Sequence, residues 1–267
     1  MRTYFVTFGD SWLNHHLRRI HAQAIAMGVY DEYRIYNENN LDATFKKQFK
    51  PHLRYWTRGY GYWCWKPQII LQVLREMDEG DILNYLDVGF HLNVKGLIRM
   101  REYLEMAQTT PHGIVASSLP LDFPTRQWTK GDLLDYFDVR ENHDLLNSGM
   151  CASGVFFIRK RADTVMLIQK WLDVFKEDFS FADDSPSRSP NDLHFKEHRH
   201  DQSIFDILCK LHGVSLFSHA ENYPAAKDAE GYPDWCTLSS FPLLSRHDKQ
   251  PTVYGRFVRR IRLRKKT

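Results

Sequence analysis

Gly80-Asp81-Ile82-Leu83-Asn84-Tyr85-Leu86-Asp87-Val88-Gly89-Phe90-His91 decides how this chain is read. A glycine turn opens it, a short apolar run follows, and an acid stands where the run ends. A run of this length between turn signals fits a buried strand. In an open α/β sheet, ligands bind outside the carboxyl ends of the strands. Asp87 therefore stands where chemistry would take place. An acid there also serves as a plain strand cap, and only its neighbours along the chain favour one reading over the other.

Upstream lies Arg58-Gly59-Tyr60-Gly61-Tyr62-Trp63-Cys64-Trp65-Lys66-Pro67. Pro67 suits the first turn of a helix, and Ile69, Ile70, Val73, Leu74 and Met77 supply its apolar face, with Gly80 ending it. The aromatic, basic stretch is thus a loop running into a helix start. Helix starts attract anions, and Arg58 and Lys66 are the cations placed to hold phosphate oxygens there. The structural alternative is that Trp63 and Trp65 plug the helix against the sheet. Downstream, His91 and Asn93 leave the strand before a helix over 95–108, and Gly113–Leu119 is a further strand.

The start of the chain completes a β-α-β opening. Residues 3–8 are β-rich and end in the Gly9-Asp10-Ser11 turn. A helix is expected from Trp12 to Met27 with Gly28 as its cap, and a strand near 32–36. The small residues of Asn147–Gly154 precede a strong strand at 155–158, where they let a ligand approach the backbone or make a simple turn. A helix follows over 162–178. Residues 180–198 have no apolar period and read as a surface loop or lid. His198-Arg199-His200-Asp201-Gln202-Ser203 then opens a helix, followed by a strand at 214–217. Capping alone explains Asp201 but not the two histidines beside it. Beyond His219 the chain reads as irregular, and it includes His247.

The whole is one domain of about residues 1–250 followed by a basic tail, 251–267. A net charge of +3 argues against a nucleic-acid binder. The tail interleaves Arg256, Arg259, Arg260, Arg262, Arg264, Lys265 and Lys266 with apolar residues, a pattern able to dock on an anionic membrane or to remain solvated. Cys64, Cys151, Cys209 and Cys236 form no metal knuckle and read as reduced thiols of a cytoplasmic protein. With no spanning apolar run and no signal-peptide pattern, the expected address is cytoplasmic, or peripheral at the inner face of a membrane.

Dinucleotide, P-loop, nucleophile-elbow and HExxH signatures are absent. What remains is acids and histidines at element ends. Asp87 with His91 or His247 has the donor types that Mn²⁺ accepts, and Asp201 is a candidate general base. A diphosphate leaving group needs such a metal, or cations such as Arg58, Lys66 and Arg246 in its place.

The runs Gly59–Pro67, Gly80–Gly89 and His200–Ser203 resemble a group of bacterial glycosyltransferases of capsule and O-antigen synthesis. The resemblance covers roughly residues 1–250 and implies a GT-A-like, Rossmann-like fold: a mixed, mostly parallel open sheet flanked by helices. It implies a hexosyltransferase that moves a sugar from a nucleoside diphosphate, uridine first among the candidates, to a saccharide or lipid-linked glycan acceptor in surface polysaccharide synthesis. Thr7, Phe8 and Gly9 would face the nucleotide, with Arg58, Lys66, Asp87 and Gly89 completing the donor site. Asp201 falls where inverting members place their base. Asp87 matches the first acid of an Asp-x-Asp metal motif for Mn²⁺ or Mg²⁺, but Gly89 stands in place of the second, so His91 or His247 would have to serve as a ligand. The alternatives are a non-catalytic carbohydrate-binding or scaffold protein on the same fold, and a metal-dependent phosphate-ester hydrolase.

Overall fold

The computed structural model describes residues 1–247. The basic tail and Asp248-Lys249 lie outside the described residues. Eight strands are present among those described: β1 (Thr3–Phe8), β2 (Glu32–Tyr36), β3 (Ile82–Leu86), β4 (His91–Leu92), β5 (Ile114–Ser118), β6 (Cys151–Arg159), β7 (Ser215–Ser218) and β8 (Leu243–Leu244). Five longer helices accompany them: α1 (Asn14–Met27), α2 (Trp65–Glu76), α3 (Leu97–Thr109), α4 (Ala162–Glu177) and α5 (Asp201–His212). No helix of the described residues is long and apolar enough to cross a membrane.

Six strands form one open sheet in the order β2-β1-β3-β6-β5-β7. All run parallel except β6, which is antiparallel to both β3 and β5. This is the mixed, mostly parallel sheet flanked by helices that the sequence led us to expect. The chain passes from β1 outward to β2, then returns across β1 to place β3 on its other side. That reversal opens a crevice at the carboxyl edge between β1 and β3.

Alternation along β1 shows why the sheet is covered on both faces. Tyr4, Val6 and Phe8 join one apolar cluster with α2, α4 and α5. Phe5 joins the other, with α1 and α3. Successive strand side chains point to opposite faces, and every residue of β1 and β3 is buried. A strand buried on both faces reads as a continuous apolar run rather than an alternating one, which is what made β3 recognisable.

Three local expectations change. Helix 12–27 begins with a 3₁₀ turn, Ser11–Leu13, held by the Asp10 carboxylate accepting from Trp12 N–H. The strand expected at 155–158 runs from Cys151 to Arg159, so the second half of the small-residue run, Cys151–Gly154, belongs to it, while 148–150 form the connection before it. The segment after His219 is not wholly irregular, since β8 returns to pair with β4.

The aromatic stretch is tighter than a loop. Gly59, Tyr60, Gly61, Tyr62 and Trp63 all have positive φ, between 51° and 96°. The chain thus makes one left-handed turn before α2. At Gly61 φ is 96°, a strained value for any side chain, and a Cβ would lie 3.2–3.3 Å from Leu53, Cys64 and the His52 carbonyl, which would have to give by a few tenths of an ångström. Each non-glycine residue in this region costs about 1–2 kcal/mol. Packing holds it: Trp65 Nε1 donates to the Gly59 carbonyl at 2.9 Å, and Phe8 stacks on Trp65 with ring centroids 3.9 Å apart.

Candidate active site

The carboxyl ends of β3, β5 and β7 lie on one edge, and the start of the reversed strand β6 lies there too. A cavity of about 290 Å³ opens on that edge. Asp87 follows β3, Leu119 follows β5, His219 follows β7, and Ala152, Ser153 and Gly154 begin β6; all line it. The first turns of α2 and α5 contribute Lys66 and Asp201, while Arg58, Trp63 and Arg199 come from the segments leading into those helices. Both helices point their N-terminal ends this way, although Lys66 N–H is bonded to the Trp63 carbonyl, and the N–H groups of Gln202 and Ser203 to the carbonyls of Arg199 and His200; what they offer the cavity is the positive end of the helix dipole.

Asp87 is fixed through its backbone. Its N–H donates to the Gly154 carbonyl at 2.8 Å, and its own carbonyl accepts from Phe90 N–H at 2.9 Å. Arg19 of α1 donates to the carbonyls of Val88 and Phe90 at 2.8 and 2.7 Å, holding the turn after β3 from below. Nothing in the sequence pattern singled out Arg19. The Asp87 Oδ1 accepts the Tyr85 hydroxyl at 2.7 Å. Burial, and then the Asp87 charge, push that phenol well above its ordinary range, so it remains a donor.

Lys66 ties the site together. Its ammonium lies 2.7 Å from Asp201 Oδ2 and 3.3 Å from Asp87 Oδ1, and it donates to the Ser153 carbonyl at 3.1 Å. Ser153 Oγ donates to the same Asp201 oxygen at 2.9 Å. The Lys66 side chain is 1% exposed. A cation in the first turn of a helix opposes the helix dipole, and burial alone would strip its proton. Against burial, the carboxylates of Asp201 and Asp87 prevail and hold Lys66 above its ordinary value. Burial lifts the Asp201 carboxyl above its ordinary range, with Lys66 pulling the other way. Asp201 thus sits in the first turn of α5, as capping would place it, yet its bonds go to Lys66 and Ser153. Both end on Oδ2, and Oδ1 takes none among the described residues.

The other expected residues separate. Arg58 lines the cavity with its guanidinium 3.1 Å from Glu197 and 3.5 Å from Asp184. His247 also lines it, bonded to Ser245 Oγ at 2.8 Å and packed edge-on against Phe90. Its N–H donates to the Gly89 carbonyl, which lies outside the cavity lining. His91 is on β4 with its ring 3.4 Å from Gln23 of α1, also outside the lining. Thr7, Phe8 and Gly9 are buried at the end of β1 and lie apart from the described cavity wall. A Cβ on Gly9 would lie only 3.0 Å from Leu17, so its glycine serves helix packing.

His200 lines the cavity beside Trp63, and burial, with Arg58 adding to it, drives its imidazole down to about 4. It adopts φ 56° and ψ −123°, a backbone disfavoured for any side chain. The 180–198 segment is anchored to the body here: Ala182 O meets His200 Nδ1 at 2.7 Å, and His198 Nδ1 accepts Lys130 N–H.

Among the described residues the donor set does not fit a divalent cation: no three His, Cys, Asp or Glu side chains form a group that could hold one. Asp87 already faces the Lys66 ammonium, and His91 is directed to α1. Sequence reasoning gave no individual role to Ser153, Tyr85, Arg199, Gln202 or Asn222; all but Asn222 lay within runs that it had singled out.

No family model matches the chain, and no curated protein does. Among solved structures it is similar to a glycosyltransferase involved in glycosylation of the major capsid of PBCV-1, at 9% identity and a TM-score of 0.48, over 98% of this chain and 100% of that one. An active-site mutant of LgtC gives 13% identity and a TM-score of 0.49, over 97% and 94%. The apo form of mouse xyloside xylosyltransferase 1 gives 10% identity and 0.44, over 82% and 86%.

Proposed function

We propose that this chain is a glycosyltransferase that moves a hexose from a nucleoside diphosphate, uridine first among the candidates, to a saccharide or lipid-linked glycan acceptor. The observation that carries this reading is the pair Asp87 and Asp201, bridged by one buried lysine on the wall of a cavity. That cavity also presents two arginines and two helix starts. Helix starts and guanidinium groups suit a diphosphate, and a carboxylate with an open oxygen suits an acceptor hydroxyl.

In this reading the acceptor oxygen attacks the anomeric carbon and the bond from that carbon to the diphosphate oxygen breaks. The hydroxyl proton passes to Asp201, whose raised affinity for a proton brings it nearer to the working pH of a base. Arg58 and Arg199 meet the charge that develops on the leaving diphosphate. The role in surface polysaccharide synthesis and the address at the inner face of the membrane belong to the same proposal and derive from the resemblance.

Calorimetric titration and thermal unfolding with uridine, guanosine and cytidine diphosphates and their sugars, each with and without Mn²⁺, test it. One nucleotide is expected to bind and, at a hundred times its Kd, to stabilise the fold by about 2.7 kcal/mol. If none of the three binds under either condition, the reading fails. Glycan binding without nucleotide binding would support the non-catalytic alternative.

A further inference from the structure

Lys66 is the most enclosed cation of the site. An ammonium has three donors and no acceptor, and its neighbours are all oxygens: Asp201 Oδ2, Asp87 Oδ1, and the carbonyl and hydroxyl of Ser153. Its charge also lies 5.3 Å from the centre of the Tyr85 ring. Lys66 stands on α2, and these groups come from three other places: α5, β6, and β3 with its end. The lysine is therefore the point at which the carboxylates are brought into register. A metal bound at Asp87 would face a fixed positive charge 3.3 Å from one of the carboxylate oxygens. Like charges that share one carboxylate oppose each other strongly when one is buried. Gly89 offers no second acid to offset that repulsion.

We propose that Lys66 is a positioning residue that serves as the resident cation of the Asp87–Asp201 pair, in the place a divalent metal would otherwise take. It fixes the spacing of the two carboxylates and keeps the buried Asp201 ionised. The charge on a donor diphosphate is then met by Arg58 and Arg199. Only that last consequence rests on the nucleotide-sugar reading. Metal binding by the free protein can be measured whether or not a nucleotide binds, so the two ideas fail separately.

The test is titration of Mn²⁺ into the purified full chain, followed by the paramagnetic resonance signal of the free ion. The proteins compared are wild type, D87N, K66M and D87N/K66M. Wild type is expected to leave Mn²⁺ free through the millimolar range. K66M, with the lysine charge taken from both carboxylates, is expected to bind at least about tenfold more tightly, as removal of a charge at this range implies. D87N/K66M should lose the gain. A merely structural lysine would not create a metal site. The proposal is overturned if wild type binds Mn²⁺ as tightly as K66M and D87N abolishes it, or if folded K66M gains nothing. Should K66M fail to fold by circular dichroism, K66M/D201N, which removes both members of the closest pair, is read against D87N/K66M/D201N by the same criteria.

Discussion

Helix α5 carries two buried aspartates, each beside a lysine, and their surroundings differ in kind. Asp206 is saturated. Its Oδ1 accepts the Cys151 N–H at 2.7 Å and lies 3.0 Å from Lys210, while Oδ2 accepts the Thr125 hydroxyl. Its lysine is on the same helix, one turn away, and also reaches the carbonyls of Leu145 and Ser148. Asp201 is not saturated. Its lysine comes from α2, that lysine is shared with Asp87, and the group borders the cavity. Burial raises the proton affinity of both acids. Burial and charge therefore do not distinguish a structural pair from a functional one here. What distinguishes them is whether an oxygen remains open on a cavity wall.

The largest expected difference is in activity. D201N should lower kcat by about 10²–10⁴, the range of a general base. Its cost in stability should be the smaller of the two, because Lys66 keeps Asp87 and Ser153. D206N should do the reverse. It leaves the largely enclosed Lys210 without its carboxylate, at about 3 kcal/mol, while the kcat of the protein that remains folded holds. Urea unfolding and initial rates corrected for folded fraction measure both. Equal losses of kcat in the two variants would break the comparison.

The same contrast marks how far the sequence could be read. β1, β2, β3, β5 and α4 each lie within a few residues of where apolar pattern and turn residues put them, because a strand or helix buried against the sheet writes its period locally. Asp87 and Asp201 were legible as acids at element ends, and Lys210 four residues after Asp206 is a local helix pair. The partner of Asp201 was not legible, since Lys66 precedes it by 135 positions and looked like a cation facing a phosphate. The reversed direction of β6 was equally hidden: small and apolar residues read alike in either direction. The β4–β8 pairing joins two-residue strands far apart in the chain, too short to carry a period of their own.

Next in size is a pH effect confined to the Asp201 end. Burial, reinforced by Arg58, holds His200 at about 4, against an ordinary 6.5, with the Ala182 carbonyl, Asp184 and Glu197 resisting. Between these values the unfolded chain binds a proton that the folded one refuses. Stability from this residue is therefore complete above about pH 6.5 and lost as pH falls toward 4, by about 3 kcal/mol in all. His198, also lowered by burial, adds in the same sense, whereas the raised Asp201 and Asp206 carboxyls oppose it at the acid end. H200Q should thus flatten, without abolishing, the fall in unfolding free energy between pH 6.5 and 4, and D206N should leave the His200 part of that slope in place. An H200Q profile parallel to wild type would mean that the imidazole accepts its proton within the fold.

The smallest expected change compares two positions on β6, one beside each pair. A Cβ on Gly154 would sit 3.0 Å from Asp87 Oδ2 and 3.4 Å from the Phe90 ring. The carboxylate must then give by a few tenths of an ångström. G154A needs no unusual backbone, so its stability should change by no more than about 1 kcal/mol. Its rate should fall by about tenfold, since small misplacements of reacting groups are costly. C151A removes only a thiol, and the backbone N–H that binds Asp206 remains. A buried side chain trimmed by one atom costs about 1 kcal/mol and should leave kcat unchanged. Similar stabilities with unlike rates would show that Asp87 responds to displacement as a reacting group does. Equal rates would mean that the position of Asp87 is not what limits turnover, and the functional half of the contrast would then rest on Asp201 alone.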